Sequence, residues 1–200
     1  MALVDRVRNI LLTPRTEWTA IEGEAATVAS IYTGYVVPLA AIPAIAGFIG
    51  LSVVGISFMG TRLQAPMGTG LTWAVVQYIA SLAGVYVLAL VIDALAPNFG
   101  GQKNQMQALK VAAYSGTASW VAGIFRIIPS LSILGILGLY SLYLLFLGLP
   151  ALMKAPADKA MGYTVVVVIA AVVIFVVVGT IASRAVGMGG WGMQPDLTPR

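Results

Sequence analysis

Apolar residues gather into five long runs along this chain, at residues 31–59, 71–96, 108–128, 131–153 and 163–182. A helix needs about 20 apolar residues to cross a hydrocarbon core of about 30 Å, so each run is long enough to span a bilayer. Only Pro129-Ser130 joins the third and fourth runs. A join that short predicts an antiparallel hairpin across the membrane. Lys110 and Arg126, near the two ends of the third run, would stand about 24 Å apart at about 1.5 Å rise per residue. That separation predicts that the two cations snorkel to opposite faces.

Ahead of the first run the pattern changes. Leu3, Val4, Val7, Ile10 and Leu11 fall on one face of a helix, with Asp5, Arg6, Arg8 and Asn9 opposite. Such a helix lies along a membrane surface. Thr13-Pro14 ends it and starts a second, Thr13 suiting the N-cap and Pro14 the first helical position. Trp18 and Ile21 then share a face, with Trp18 expected at headgroup level. This segment reads either as an interfacial lead-in or as a docking surface for a partner. The expected architecture is all-α: a polytopic transmembrane bundle of five membrane-spanning helices, preceded by short N-terminal amphipathic interfacial helices. Residues 1–30 form the interfacial segment, residues 31–186 the bundle and residues 187–200 a flexible Gly-, Met- and Pro-rich tail.

Inside the spans a few residues break the apolar pattern. Pro38 and Pro43 each remove a backbone donor from the first span and predict a kink. The same span carries Ala40/Ala44 and Ala46/Gly50, small pairs that permit close helix contact. The prolines therefore shape either a packing helix or a broken helix beside a substrate site. Residues 60–70, with Arg62, Pro66 and several glycines, read as a loop. Asp93 is the one acid within an apolar run, and it sits at a helix C-terminus, where the dipole disfavours an anion. It calls for a cation, and Lys110 or Lys103 is the expected partner, closing the second span on the third; the other reading is a proton or ion site. Tyr140 and Tyr143 fall in the fourth span, where a buried phenol needs a hydrogen-bond partner, expected among the hydroxyls of the third span.

Composition narrows the chemistry. The 200 residues are 60% hydrophobic and only 9% charged, far from the roughly 25% charged residues of soluble domains. Cysteine and histidine are both absent, which excludes disulfides, thiol catalysis, thiolate or imidazole metal sites and the commonest general base. No paired carboxylates, phosphate-binding loop or nucleophile motif occurs, so neither catalysis nor a cofactor is expected. The net charge of +4 is spread over loops and tails without a basic cluster, which argues against nucleic acid as a partner. The charges Asp5, Arg6 and Arg8 precede any apolar run, so the start does not read as a signal peptide. With five spans, Arg6, Arg8, Arg15, Lys103, Lys110, Lys154 and Lys159 share one side, and Arg62, Arg126, Arg184 and Arg200 the other. The positive-inside rule then puts the N-terminus in the cytoplasm and the C-terminus outside.

Several short motifs recur in an order that resembles the Yip domain family, the five-span proteins named after Ypt/Rab-interacting protein, and its bacterial branch in particular. They are Thr13-Pro14-x-x-Glu17-Trp18, Gly34-Tyr35-x-x-Pro38, Phe99-Gly100-Gly101, Ala113-Tyr114-Ser115, Ile128-Pro129, Leu139-Tyr140-Ser141-Leu142-Tyr143 and Gly148-Leu149-Pro150. The resemblance covers nearly the whole chain. It implies five helices, a cytosolic N-terminus and, for the bacterial branch, residence in the cytoplasmic membrane without an assigned activity. Eukaryotic members are linked to Rab GTPases and vesicle traffic; the long cytosolic N-terminal region of those members is missing here, so Rab binding is not expected. Two functions follow: a non-enzymatic adaptor or membrane-organising protein, acting on the bilayer, on membrane-protein partners or by self-association, or a small transporter or channel using the kinked first span and Asp93.

Overall fold

The computed structural model describes residues 2–58 and 61–185, so the expected C-terminal tail lies outside the described residues. Two short helices come first, α1 (Leu3–Leu12) and α2 (Pro14–Gly23). Pro14 opens α2 as expected, but the Thr13 side chain makes no cap: its hydroxyl donates instead to the Asn9 carbonyl at 3.1 Å.

The first apolar run is one continuous helical rod, Val28–Val54. It contains α3 (Val28–Ile31) and α4 (Val37–Phe48), with π-helical turns at Tyr32–Val36 and Ile49–Val54. The first wide turn falls directly before Pro38, where the Val37 amide reaches back to the Tyr32 carbonyl. A wider turn there absorbs the strain of the proline ring without ending the helix. Ala40, Ala44 and Ala46 are buried, so the small pairs serve helix contact as their spacing implies.

The rod ends at Val54, short of the expected end of the first run, because Ile56–Phe58 forms a strand, β1, that pairs antiparallel with β2 (Thr61–Leu63) in the expected loop, Ile56 opposite Leu63. The chain continues through α5 (Met67–Leu95), a 3-10 turn at Ala96–Phe99, α6 (Gln105–Ser115), α7 (Thr117–Ala122) and a second 3-10 turn at Gly123–Ile127. A long 3-10 stretch (Pro129–Leu139) leads into α8 (Tyr140–Met153), and α9 (Ala157–Ala185) follows.

Among the described residues four helical segments are long and apolar enough to cross a membrane: Val28–Val54, Met67–Phe99, Pro129–Met153 and Ala157–Val177. The third apolar run differs from expectation. It is divided at Gly116 and again at Gly123, and residues 108–115 are buried on every side. A helix enclosed all round is a central strut, not a lipid-facing one. The expected hairpin is present, with α7 and its 3-10 extension packed on Pro129–Leu139 and α6 packed on α8.

Burial is unequal along the bundle. The large buried side chains come from α1, α2, the start of the first rod, the end of α5, α6, the end of α8 and the start of α9, for example Ile10, Trp18, Val36, Ile92, Leu109, Leu149 and Tyr163. All belong to one end of the molecule. At the other end Ile79, Ile133, Val172 and Phe175 are exposed. The core thus sits beneath the N-terminal helices.

Candidate functional site

Arg6 on α1 belongs, by the helical pattern alone, to the polar face. It is in fact 5% exposed. Its guanidinium donates to Glu17 of α2 at 2.5 Å and to both carboxylate oxygens of Glu24. It also lies 5.6 Å over the ring of Tyr114 on α6, a cation–π contact. Glu17 is equally buried, whereas the Glu24 side chain is partly exposed. Burial works against the Arg6 charge, but the hydrogen bond and charge of Glu24 and the charge of Glu17 outweigh it and raise the pKa above its ordinary value.

Beneath Arg6 the aromatic rings interlock. Tyr114 meets Tyr35 edge-on at 4.6 Å and Trp18 edge-on at 6.4 Å. The Thr117 hydroxyl donates to the Tyr114 carbonyl at 2.6 Å, so its oxygen accepts from the Tyr35 hydroxyl, also at 2.6 Å. Trp18 is buried and not at headgroup level. It lies flat against α8 at Gly148, where an added Cβ would come within 2.7 Å of the indole. Only glycine lets the two approach so closely.

Lys110 of α6 is 2% exposed, so it does not snorkel out of the bundle. Its ammonium donates to the carbonyls of Ile21 at 2.8 Å and Glu24 at 2.7 Å, with Glu22 at 3.4 Å. These are the carbonyls at and just past the C-terminus of α2, where helix carbonyls run short of amide partners; of the three, Ile21 also accepts the Glu24 amide at 3.4 Å. A cation at this end also meets the negative pole of the helix. Gln107 adds a hydrogen bond to the Glu22 carbonyl, and Lys154, just past α8, pairs with the Glu22 carboxylate. The Arg6 and Lys110 charges balance those of Glu17 and Glu24, so the buried cluster is formally neutral. It ties α1 and α2 to α6 and α8.

The Asp93 pairing expected from sequence does not form. The Lys110 ammonium is committed to α2, and Lys103 is exposed without an ion pair among the described residues. One carboxylate oxygen of Asp93 is buried with no hydrogen-bond partner among the described residues. Tyr140 and Tyr143 also depart from expectation. Both are exposed, their rings are 5.4 Å apart, and the Tyr140 hydroxyl donates to the Leu11 carbonyl of α1 at 3.1 Å, not to the third span. Tyr140 thus fastens the end of α1. Pro43 packs on Gly123, where an added Cβ would lie 2.5 Å from the proline ring.

Arg6, Glu17, Glu24, Tyr35, Tyr114 and Thr117 were not singled out as site residues from sequence. A signal was present: Arg6 borders the apolar stripe beside Ile10, and Glu17, Tyr35 and Tyr114 lie in the short motifs. Those motifs are scattered along the chain, yet Glu17, Trp18, Tyr35, Tyr114 and Gly148 meet at this one place.

A helical bundle with several membrane-length apolar segments and a buried ionic cluster between its N-terminal helices and core defines the protein as a polytopic membrane protein. Its family follows from the sequence comparison: the Yip1 domain matches residues 8–178, and the chain belongs to the Yip1 domain family. Inner membrane protein YohC of Escherichia coli strain K12 is 35% identical over 117 residues, which is 58% of this chain and 60% of that protein. The counterpart from E. coli O6:H1 matches to the same extent. The alignment thus spans about three-fifths of these curated relatives. No solved structure matches the chain.

Proposed function

We propose that this chain is a non-enzymatic, partner-binding protein of the cytoplasmic membrane, in which the N-terminal helices form a fixed adaptor surface on the cytoplasmic end of a five-span bundle. In this reading the divided third run, α6 and α7 with the 3-10 turn after them, crosses the bilayer as a fifth element enclosed by the other four. The observation that carries the proposal is the ionic cluster around Arg6. It docks α1 and α2 rigidly while leaving Val4, Arg8, Leu12 and Arg15 exposed on their outer faces. A segment serving only to lead the chain into the membrane has no need of a buried, fully paired arginine. The family and the inner-membrane relative support the location. Proximity labelling from the N-terminus, in wild type and in an Arg8→Glu/Arg15→Glu variant, tests the reading. A discrete set of labelled membrane proteins, depleted in the variant, is expected; an unchanged set would rule the surface out.

One observation favours transport as a second reading: a cavity of about 760 Å³ borders Pro43 on the first rod. Asp93 does not line it, so the two features first linked to transport are separate. Flux of an ion or solute through liposomes carrying the purified protein would favour that alternative.

A further inference from the structure

The loosely packed end of the bundle, opposite the Arg6 cluster, contains the cavity of about 760 Å³, within the range of about 300–1,000 Å³ typical of ligand sites. Its walls come from the first rod, α5, the hairpin and α9. Most of the lining is apolar and much of it small, as at Ala40, Ala80, Gly84 and Gly135, with Gln77, Ser81, Ser119 and Ser141 as neutral polar members. The rim includes Leu139, Leu142 and Phe175, which are exposed, so the opening is continuous with the surface that faces lipid. One lining residue is charged. Arg126 is exposed, lies where the third run ends, and takes part in no ion pair among the described residues. Ser132 lies near the same turn and also lines the cavity.

We propose that this cavity is a lipid site that takes one acyl chain of an anionic phospholipid, with the lipid phosphate on Arg126. Three observations specify that occupant. An apolar cleft of this size cannot close up as a packed interior does, and its walls offer water few partners. It opens sideways among exposed apolar side chains, where acyl chains are the surrounding solvent. Its one cation sits at a span end, the depth of lipid phosphates, and a guanidinium matches phosphate with parallel hydrogen bonds. A soluble solute would need free polar groups, whereas the lining hydroxyls of Ser81, Ser119 and Ser141 already bond within the protein. No residue of α1 or α2 lines the cavity, so the site is distinct from the adaptor surface.

Native mass spectrometry of the full protein, released from micelles holding equal phosphatidylglycerol and phosphatidylcholine, tests the proposal. One retained lipid is expected, with phosphatidylglycerol favoured about fivefold, the factor for one basic side chain beside an anionic lipid. Arg126→Gln should bring that ratio to about one while a lipid still binds; Arg126→Lys should restore most of it, and Lys103→Gln should leave it unchanged. Gly135→Leu should reduce retention of both lipids. An added Cβ at Gly135 meets nothing within 4 Å, so this variant keeps its fold and decides the matter even if Arg126→Gln does not. Equal retention of the two lipids by wild type, a preference untouched by Arg126→Gln, or undiminished binding in Gly135→Leu would each overturn the proposal.

Discussion

Arg6 illustrates how one residue acquires a role its own helix does not announce. On an isolated α1 it would be a solvated charge; beside Glu17, Glu24 and Tyr114, with Lys110 supplying the second positive charge, it becomes the centre of a neutral cluster. Arg6→Ala strands the Glu17 carboxylate, and removing one partner of a buried pair costs about 3–5 kcal/mol. The expected result is a marked fall in Tm in detergent, while Arg8→Ala on the exposed face changes it little. Arg6→Lys should also lower Tm, because one ammonium cannot serve two carboxylates in a fork. The pH dependence has a definite sign. A base whose pKa is raised by folding contributes its stability below the ordinary value, and loses it only as pH rises past the raised one, which for Arg6 lies beyond arginine's already strongly alkaline ordinary value. Arg6 therefore keeps α1 docked throughout the neutral and mildly alkaline range. Lys110 gives a second residue-scale expectation. Lys110→Met removes the ammonium from the end carbonyls of α2; Glu22 keeps Gln107 and Ile21 keeps the Glu24 amide, so the loss should fall at the low end of about 1–3 kcal/mol. Since that ammonium bonds to α2 and not to Asp93, the effects of Lys110→Met and Asp93→Asn should add within about 0.5 kcal/mol in a double-mutant cycle. A larger coupling would show that the two side chains pair.

At the scale of elements, the docking of α2 depends on its contact with α8. Trp18 fits because position 148 has no side chain. Gly148→Leu should expel the indole, loosen α2 and expose the bond after Arg15. Limited trypsin digestion reads this directly: wild type resists cleavage between residues 6 and 24 for longer than the variant. An equal cleavage rate would mean that the contact does not hold the helix. The first rod depends on its π-helical turns in a comparable way. Pro43 lies against Gly123, so the proline shapes the meeting of the first rod with the third run as well as the cavity beside it. Pro43→Ala is expected to leave insertion intact and alter thermal stability only modestly.

Across the whole molecule, the two ends differ in kind. One is tightly packed and charged within, where α1 and α2 close over the bundle; the other is open and apolar, with a cleft among its helices. In the proposed arrangement of five crossings, the closed end would face the cytoplasm. Reporter fusions after Lys103 and Lys159 should then read cytoplasmic and a fusion after Arg184 external. A cytoplasmic reading at Arg184 would contradict the five-span topology, because an even number of crossings would return the chain to its starting side.

The sequence by itself determined that this is a helical membrane protein, since runs of apolar residues long enough to cross a bilayer admit few other structures. It also located the N-terminal helices, the start of α2 at Pro14 and the small-residue contacts of the first rod, all of which depend on neighbours a few positions apart. The partners of the ionisable groups were decided only by the tertiary structure. Asp93 and Lys110 were matched in sequence by charge and shared membrane face, but a buried ammonium goes to the nearest unsatisfied acceptors, and the C-terminal carbonyls of α2 lie closer in space. Trp18 and Arg6 were assigned to the surface because their helices are amphipathic, yet packing against α6 and α8 encloses both. The third run has the composition of a simple span, but Gly116 and Gly123 break it where it packs against its neighbours. Helical periodicity describes one element in isolation; burial, charge pairing and the division of that run depend on which faces of different elements are pressed together.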